Sequence, residues 1–402
     1  MIDKDTETAL AALRSYLDQF GFTRLSKYIV SVKLYSLSPS MIGLWTRDTS
    51  ADFSSYLTGE YSAIGLAACL MIGIPVDYAG LTALEQRVAD RLVSVALLKR
   101  EGGLLFMGPY QLISVGGMPL FEDARVNFPG NSNHEVYFGP DSLLLSFYVD
   151  TGSIQRTDPV LDLGTGSGLV GLYLSCFSDR VTVTDIAPAP LRLVHLNRAL
   201  NRKSETVEIR VEHFEDTLAQ GKRYKTVTFN PPFVPLPQEL RAPIYAKGPG
   251  LDGQDYCRML ISRLDEVLLP DGTAYIVSDL PGSATEPFFV ADLRRYAASQ
   301  KLSIEVFIDS RVDYLEGTQL FVPLGGCLQR ENPSLTQEEC TARIETLYRK
   351  TLGADSAHLS VIAVRAANDL PPGVRVFNRY RTMPHGSFAP PREPTSGTAA
   401  NQ

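Results

Sequence analysis

The feature that most constrains this chain is the run Asp162-Leu163-Gly164-Thr165-Gly166-Ser167-Gly168, set between a short apolar stretch and a helical one. Glycines at alternate positions let the backbone turn tightly and leave room for a ligand to press against it. A second acid, Asp185, closes the next apolar stretch about twenty residues on, where nucleotide folds set a carboxylate against ribose hydroxyls. From residue 158 onward short apolar segments alternate with helical ones, the texture of a doubly wound parallel sheet. The spacing predicts strands over 159–162, 181–185, 207–211, 226–229, 273–277, 303–308 and 358–365, with a long insertion before the last one holding a helix over 337–350. Such an insertion either walls a substrate pocket or merely elaborates the surface.

Two details separate this loop from a dinucleotide site. Asp162 precedes the first glycine at the strand end, and the glycines lack the G-x-G-x-x-G spacing. Both favour S-adenosylmethionine over NAD. A second motif, Asn230-Pro231-Pro232-Phe233, follows the fourth predicted strand. Methyl transfer from a sulfonium is an in-line displacement on an already activated donor, so alignment and electrostatics are what a protein must add. An amide or aromatic amine nitrogen is a poor nucleophile, and acceptors on its N–H groups both orient it and stabilise the charge it develops. Asn230 offers a side-chain carbonyl, and Pro231 a backbone carbonyl in a turn stiffened by two prolines. Phe233 offers a flat apolar face for a planar substrate. These three are the candidate catalytic residues.

The motifs together resemble those of class I methyltransferases, and most closely the release-factor glutamine N-methyltransferases and other small-domain N-methyltransferases. The resemblance rests on the glycine loop, on Thr184-Asp185, on Phe229 to Phe233, on Tyr137-Phe138-Gly139-Pro140-Asp141-Ser142 and on Gly250-Leu251-Asp252-Gly253, and covers about residues 135–280. It implies a Rossmann-like, seven-stranded class I methyltransferase sheet of α/β class over 131–384, with a smaller N-terminal helical, winged-helix-like domain over 1–130 and a disordered tail over 385–402. It also implies that Asp162 and Gly164 line the methionine end of the donor, that Asp185 binds the ribose, and that Ser142 meets the donor carboxylate. Thr165, Gly166, Gly168, Ile186, His213, Phe214 and Asn230 complete the expected cofactor-binding set. His213 stands where relatives carry an Asp on the adenine amine, and is otherwise a plain strand-end residue. Lys225 replaces a customary acid. Tyr137, Tyr245, Asp252 and Tyr256 are further pocket candidates.

The N-terminal region reads as helices (Leu10, Leu13, Leu17 and Phe20 on one face; then 24–35, 56–71 and the stretch opened by Thr82 and Glu85) followed by short strands near 104–107, 110–115 and 118–121. That order suits either DNA recognition or a substrate-orienting or dimerising module. Alternating Glu85, Arg87, Asp90 and Arg91 predict a solvated helix face rather than a phosphate grip. A net charge of −7 gives no footprint for nucleic acid, which makes a small-molecule, peptide or protein acceptor the first expectation. The alternatives are base methylation of RNA or DNA through a basic channel of Lys222, Arg223, Arg241 and Lys247, cyclisation of the donor's own aminobutyrate chain to a cyclic amino acid, and a regulator that senses the donor. Five cysteines without C-x-x-C spacing and five dispersed histidines predict no metal site. An acidic N-terminus and no long apolar run predict a cytoplasmic protein with no membrane partner.

Overall fold

The computed structural model describes residues 2–20, 65–73, 75–115, 117–123, 136–314, 321–367 and 371–378. The helix expected over 24–35, most of that over 56–71 and the tail over 385–402 lie outside them.

Eight strands form the central sheet: β6 (Pro159–Leu163), β7 (Arg180–Asp185), β8 (Val207–Val211), β9 (Tyr224–Phe229), β10 (Leu268–Gly282), β11 (Leu302–Asp313), β12 (Ser356–Ala366) and β13 (Gly373–Asn378). Their order is β8-β7-β6-β9-β10-β12-β11-β13. Only β12 runs against the others. Seven of these strands match the expected ones. The eighth, β13, is an edge strand in which Val374 and Val376 pack onto the sheet while Phe377 stacks on Phe307 at 5.1 Å. Pro371 and Pro372 just ahead of it read as a loop in sequence and hide it.

Chain order reverses between β6 and β9, and ligands of open α/β sheets bind outside the carboxyl ends at such a switch point. Leu163 pairs with Phe229 in the β6–β9 ladder. Gly164 and Asn230 therefore leave adjacent strands at the same level. Helices α4 (Pro140–Tyr148), α5 (Leu169–Leu174), α6 (Pro188–Leu200), α7 (Phe214–Ala219), α8 (Asp255–Ser262), α9 (Leu264–Val267) and α10 (Phe289–Gln300) cover the two faces. Between β11 and β12 stand α11 (Phe321–Glu331) and α12 (Gln337–Thr346), the latter opened by a Thr336/Glu339 capping box and continued by a π-helical turn over Leu347–Thr351.

In the N-terminal region α1 (Lys4–Phe20), α2 (Gly65–Ile72) and α3 (Ala83–Ser94) precede the hairpin β2 (Leu98–Glu101) and β3 (Leu104–Met107), whose outer neighbour is β1 (Val76–Asp77). A ribbon of β4 (Tyr110–Val115) and β5 (Met118–Asp123) follows. The helices at 4–20 and 83–94 and the strands at 104–107, 110–115 and 118–123 fall where expected, and β1 and β2 are additional. Leu10, Leu13 and Leu17 are buried beside Leu193, Leu196 and Leu200 of α6, so the described N-terminal elements share a core with the sheet unit. Each such leucine contributes about 2 kcal/mol through burial. Glu85 departs from the solvated pattern read in sequence. It is buried, and besides closing the Thr82 capping box it accepts the Tyr16 hydroxyl at 3.0 Å and the Leu66 N–H at 3.3 Å. One carboxylate thus joins α1, α2 and α3.

Candidate functional site

The glycine loop leaves β6 with Gly164, Gly166 and Gly168 all at positive φ, between 55° and 82°, a conformation that side chains resist. Polar groups hold the turn from beneath. The Asp162 carboxylate, 2% exposed, accepts from the Thr165 hydroxyl at 2.5 Å, the Gly171 N–H at 2.9 Å and the Thr228 hydroxyl at 2.7 Å. Burial pushes its pKa up to about 6 against those bonds. Its place is in the scaffold under the loop. Asp185 closes β7 and accepts from the Gly166 N–H at 3.0 Å and the Ala187 N–H at 2.9 Å, with its pKa raised by burial. The Thr165 N–H donates to the Thr184 carbonyl at 2.8 Å, so the turn is sewn to both strands.

Around the loop, Ile186 is half exposed at the mouth of the crevice. His213 caps α7, its Nδ1 accepting the Glu215 N–H at 3.3 Å, which leaves Nε2 to carry the proton. Phe214 is buried and stacks on Phe229 at 5.1 Å, with Tyr256 edge-on at 5.5 Å. A contact that sequence reasoning did not reach is Asn197 of α6, fully buried. Its amide donates to the Phe121 carbonyl of β5 at 2.9 Å and the Ser167 carbonyl at 3.2 Å, and accepts the Phe121 N–H at 2.6 Å.

Asn230 emerges next to this loop. Its amide nitrogen donates to the Asp141 carboxylate at 2.8 Å and the Ser142 hydroxyl at 3.0 Å, both in the first turn of α4. With both N–H groups committed, the side-chain carbonyl is what the amide has left to offer as an acceptor. Ser142 is thus a partner of Asn230. Asp141, which sequence reasoning quoted without assigning it a role, fixes the orientation of the key amide. Burial raises its pKa, opposed by hydrogen bonds from Asn230 and from Tyr137, whose hydroxyl lies 3.1 Å away. Tyr137 stacks on Tyr245 at 5.8 Å.

The proline turn rests on a glycine cradle. A Cβ at Gly253 would lie 2.3 Å from the Phe233 carbonyl oxygen, so the Gly250-Leu251-Asp252-Gly253 segment supports the turn from behind. Asp252 faces the Arg258 guanidinium in two bonds of 2.8 and 2.6 Å and belongs to that support. Beyond Phe233, Leu236 and Leu240 share a core with Tyr314, Phe321, Ile344 and Tyr348 of the insertion. Asn332 pairs its side-chain amide with the Arg241 backbone at 2.9 and 3.0 Å. The insertion therefore packs against the segment that follows the proline turn.

The expected basic channel has a different layout. Lys222 and Arg223 precede β9, at the end opposite to Asn230. Lys247 donates to the carbonyls of Pro237, Gln238 and Leu240 within 3.1 Å and serves the loop. Lys225 pairs with Asp271 at 2.7 Å. At the carboxyl edge stand Asp141, Asp162, Asp185 and Asp279, none in an ion pair among the described residues. Such an edge suits a cationic ligand, as a sulfonium is. No group of metal-ligating side chains occurs among the described residues, and no described helix is long and apolar enough to cross a membrane.

Fold, loop and turn define the class of a methyltransferase sheet with an adenosylmethionine-type crevice. Residues 132–241 match the family model described as methyltransferase small domain. The release factor glutamine methyltransferase of Clostridium acetobutylicum is 28% identical over 33% of this chain and 51% of its own length. The tRNA1(Val) (adenine(37)-N6)-methyltransferase of Aeromonas hydrophila is 30% identical over 35% of this chain and 58% of its own. The chain spans about half the length of these curated relatives. Among solved structures, Trm5b from Pyrococcus abyssi is 14% identical, with 69% of this chain and 67% of that one covered and a TM-score of 0.38.

Proposed function

We propose that this chain is an S-adenosylmethionine-dependent N-methyltransferase whose acceptor is a small molecule, a peptide or a protein side chain. The carrying observation is that Asp141 and Ser142 take both N–H groups of Asn230. Its carbonyl is left to receive an acceptor N–H beside the glycine loop. When bound, the donor supplies an activated methyl group on a sulfonium. The residues of this chain do the rest. Gly164 to Gly168 let the donor approach the backbone. Asn230 and the Pro231 carbonyl hold the incoming nitrogen, and Phe233 backs a planar group. As the C–N bond forms the C–S bond breaks, and the nitrogen's proton leaves afterwards to solvent, so no base is needed in the transfer itself.

The named relatives act on a glutamine and on an adenine. Of these the glutamine class, and amide or amine nitrogens in general, suits the described cleft better. Lys222 and Arg223 sit at the far edge of the sheet and Lys247 is committed to carbonyls, so of the four residues expected to form a basic channel only the exposed Arg241 stands on the side of the turn with its charge uncommitted. The test is mass spectrometry of nucleoside products after incubation with adenosylmethionine and acceptor panels of glutamine peptides, small amines and tRNA. Adenosylhomocysteine with a methylated amide or amine is expected. Methylthioadenosine would replace methyl transfer by cyclisation, and methylated tRNA would overturn the acceptor class.

A further inference from the structure

Asn230 is one station on a closed circuit of contacts. Its amide donates to one oxygen of Asp141 at 2.8 Å and to the Ser142 hydroxyl at 3.0 Å. The other Asp141 oxygen accepts the Tyr137 hydroxyl at 3.1 Å. The Tyr137 ring lies against that of Tyr245, with 5.8 Å between centroids and 13° between planes. Tyr245 belongs to the loop that follows the proline turn, and this loop is tied back to the exit of the turn. The Val234 N–H donates to the Ala246 carbonyl and the Gly248 N–H to the Val234 carbonyl, both at 3.0 Å. The contacts thus leave the turn at Asn230, pass through Asp141, Tyr137 and Tyr245, and return to it at Val234.

Two features make Tyr137 more than a space-filling side chain. Its ring is 38% exposed, so packing alone does not explain it. The backbone also makes way for its hydroxyl: a Cβ at Gly139 would stand 2.0 Å from that oxygen and 2.2 Å from Asp141 Oδ1, and any side chain there would push the two apart. A hydroxyl donated to a carboxylate fixes its rotamer and favours its ionised form. The charge of Asp141 matters to Asn230, because an ionised carboxylate only accepts and takes the NH₂ end of the amide. A protonated one carries a donor, and would also admit the amide turned over, with its carbonyl inward. We propose that Tyr137 is a positioning residue that sets which way the Asn230 amide faces, acting through Asp141, and that the stacked Tyr245 makes this setting answer to the acceptor-side loop.

Burial raises the Asp141 pKa, while hydrogen bonds from Asn230, Tyr137 and the Asp141 and Ser142 backbone lower it. Loss of the Tyr137 hydroxyl removes one lowering bond, so the pKa rises. Tyr245, whose field reaches Tyr137, and Asp279 of β10, whose field meets that of Asp141, are the titratable neighbours. The inference rests on the methyltransferase reading only for what the Asn230 carbonyl receives, since the amide can be followed in ligand-free protein. Two-dimensional ¹⁵N–¹H spectra of the full chain labelled at asparagine, taken from acid to mildly alkaline pH, provide the test. Asn230→Ala identifies the side-chain signal pair, and Asp141→Asn, in which its titration step should vanish, identifies the step. In Tyr137→Phe, which keeps the stacked ring, the midpoint is expected to move to higher pH. In Tyr245→Leu it is expected to move the same way by less, and the other asparagine signals report that the fold is kept. A Tyr137→Phe midpoint equal to that of wild type, or no step in any of the proteins, overturns the proposal. An unmoved midpoint in Tyr245→Leu overturns the part given to the loop. Failure of wild type to bind adenosylmethionine in calorimetry sinks the methyltransferase reading and leaves the amide result standing.

Discussion

The donor loop and the acceptor turn leave neighbouring strands at one level, yet they are held in different ways. The loop is supported mostly from close by. Asp162 reaches Thr165 three residues on and Gly171 nine residues on, and Asp185 reaches back nineteen residues to Gly166. The turn is supported from far away, by Asp141 and Ser142 at separations of 89 and 88 residues and by an insertion that follows β11. Local support makes a site that any acceptor chemistry can reuse. Distant support makes one whose specificity can change without disturbing the donor.

If the two halves are separable, removing the Asn230 amide should abolish transfer and spare donor binding. Asn230→Ala is expected to lower kcat by about 10²–10³-fold, the scale seen when one preorganised polar partner of a transition state is lost, with the adenosylmethionine Kd changed little. Asp141→Ala should fall between the two, because Asn230 remains but can rotate. Single-turnover rates and calorimetry on the same preparations check this. A large loss of donor affinity in Asn230→Ala would break the distinction.

Besides the Thr228 hydroxyl that reaches Asp162 from β9, the donor half has a further distant tie. Asn197 joins the Ser167 carbonyl of the loop to both backbone groups of Phe121 in β5. Truncation to Ala leaves buried backbone groups unsatisfied, at about 1–3 kcal/mol each. Asn197→Ala should therefore lower Tm by many degrees and weaken donor binding, although its amide meets the loop only at the Ser167 carbonyl. Unchanged donor affinity in a folded Asn197→Ala would show that the N-terminal elements merely dock. On the acceptor side, Gly253→Ala forces a Cβ against the Phe233 carbonyl at positive φ. A smaller destabilisation of about 1–3 kcal/mol is expected, with KM for the acceptor rising before donor affinity changes.

The same contrast explains what could be read in the sequence. The glycine loop, Asp185 and the seven strands are legible because each is a contiguous pattern with a local cause: period, turn chemistry, a strand end. Asp141 is not, since a Pro-Asp-Ser helix start looks like any other, and its role exists only once α4 lies across the end of β9. Asn197 reads as one more polar residue in an amphipathic helix until β5 pairs with its amide. Glu85 shows the opposite error, a helix charge read as solvated that tertiary packing buries. Half of the expected basic channel is displaced for a topological reason. Lys222 and Arg223 are near Asn230 in sequence, but a whole strand separates them.

The smallest expected effect is also the one that bears most directly on the difference between the halves. Asp162 and Asp279 both have folded-state pKa values above the unfolded value of 3.8, about 6 and about 7. Between the unfolded and the folded pKa the native state binds more protons than the unfolded chain, so stability falls as pH rises through that window. The window is about pH 4 to 6 for Asp162 and about 4 to 7 for Asp279. Asp162 carries its own donors, whereas no hydrogen bond or ion pair to Asp279 occurs among the described residues, and burial together with the Asp141 charge raises its pKa. Asp279→Asn should thus raise the Tm of the ligand-free protein at pH 8 by a few degrees and flatten the pH dependence between pH 6 and 7.5. Asp162→Asn, which turns one accepting oxygen into a donor facing other donors, should lower Tm at every pH. Thermal melts of the three proteins from pH 5 to pH 8 check both expectations. A destabilised Asp279→Asn at pH 8 would mean that the acceptor half, like the donor half, uses its acid to hold itself together.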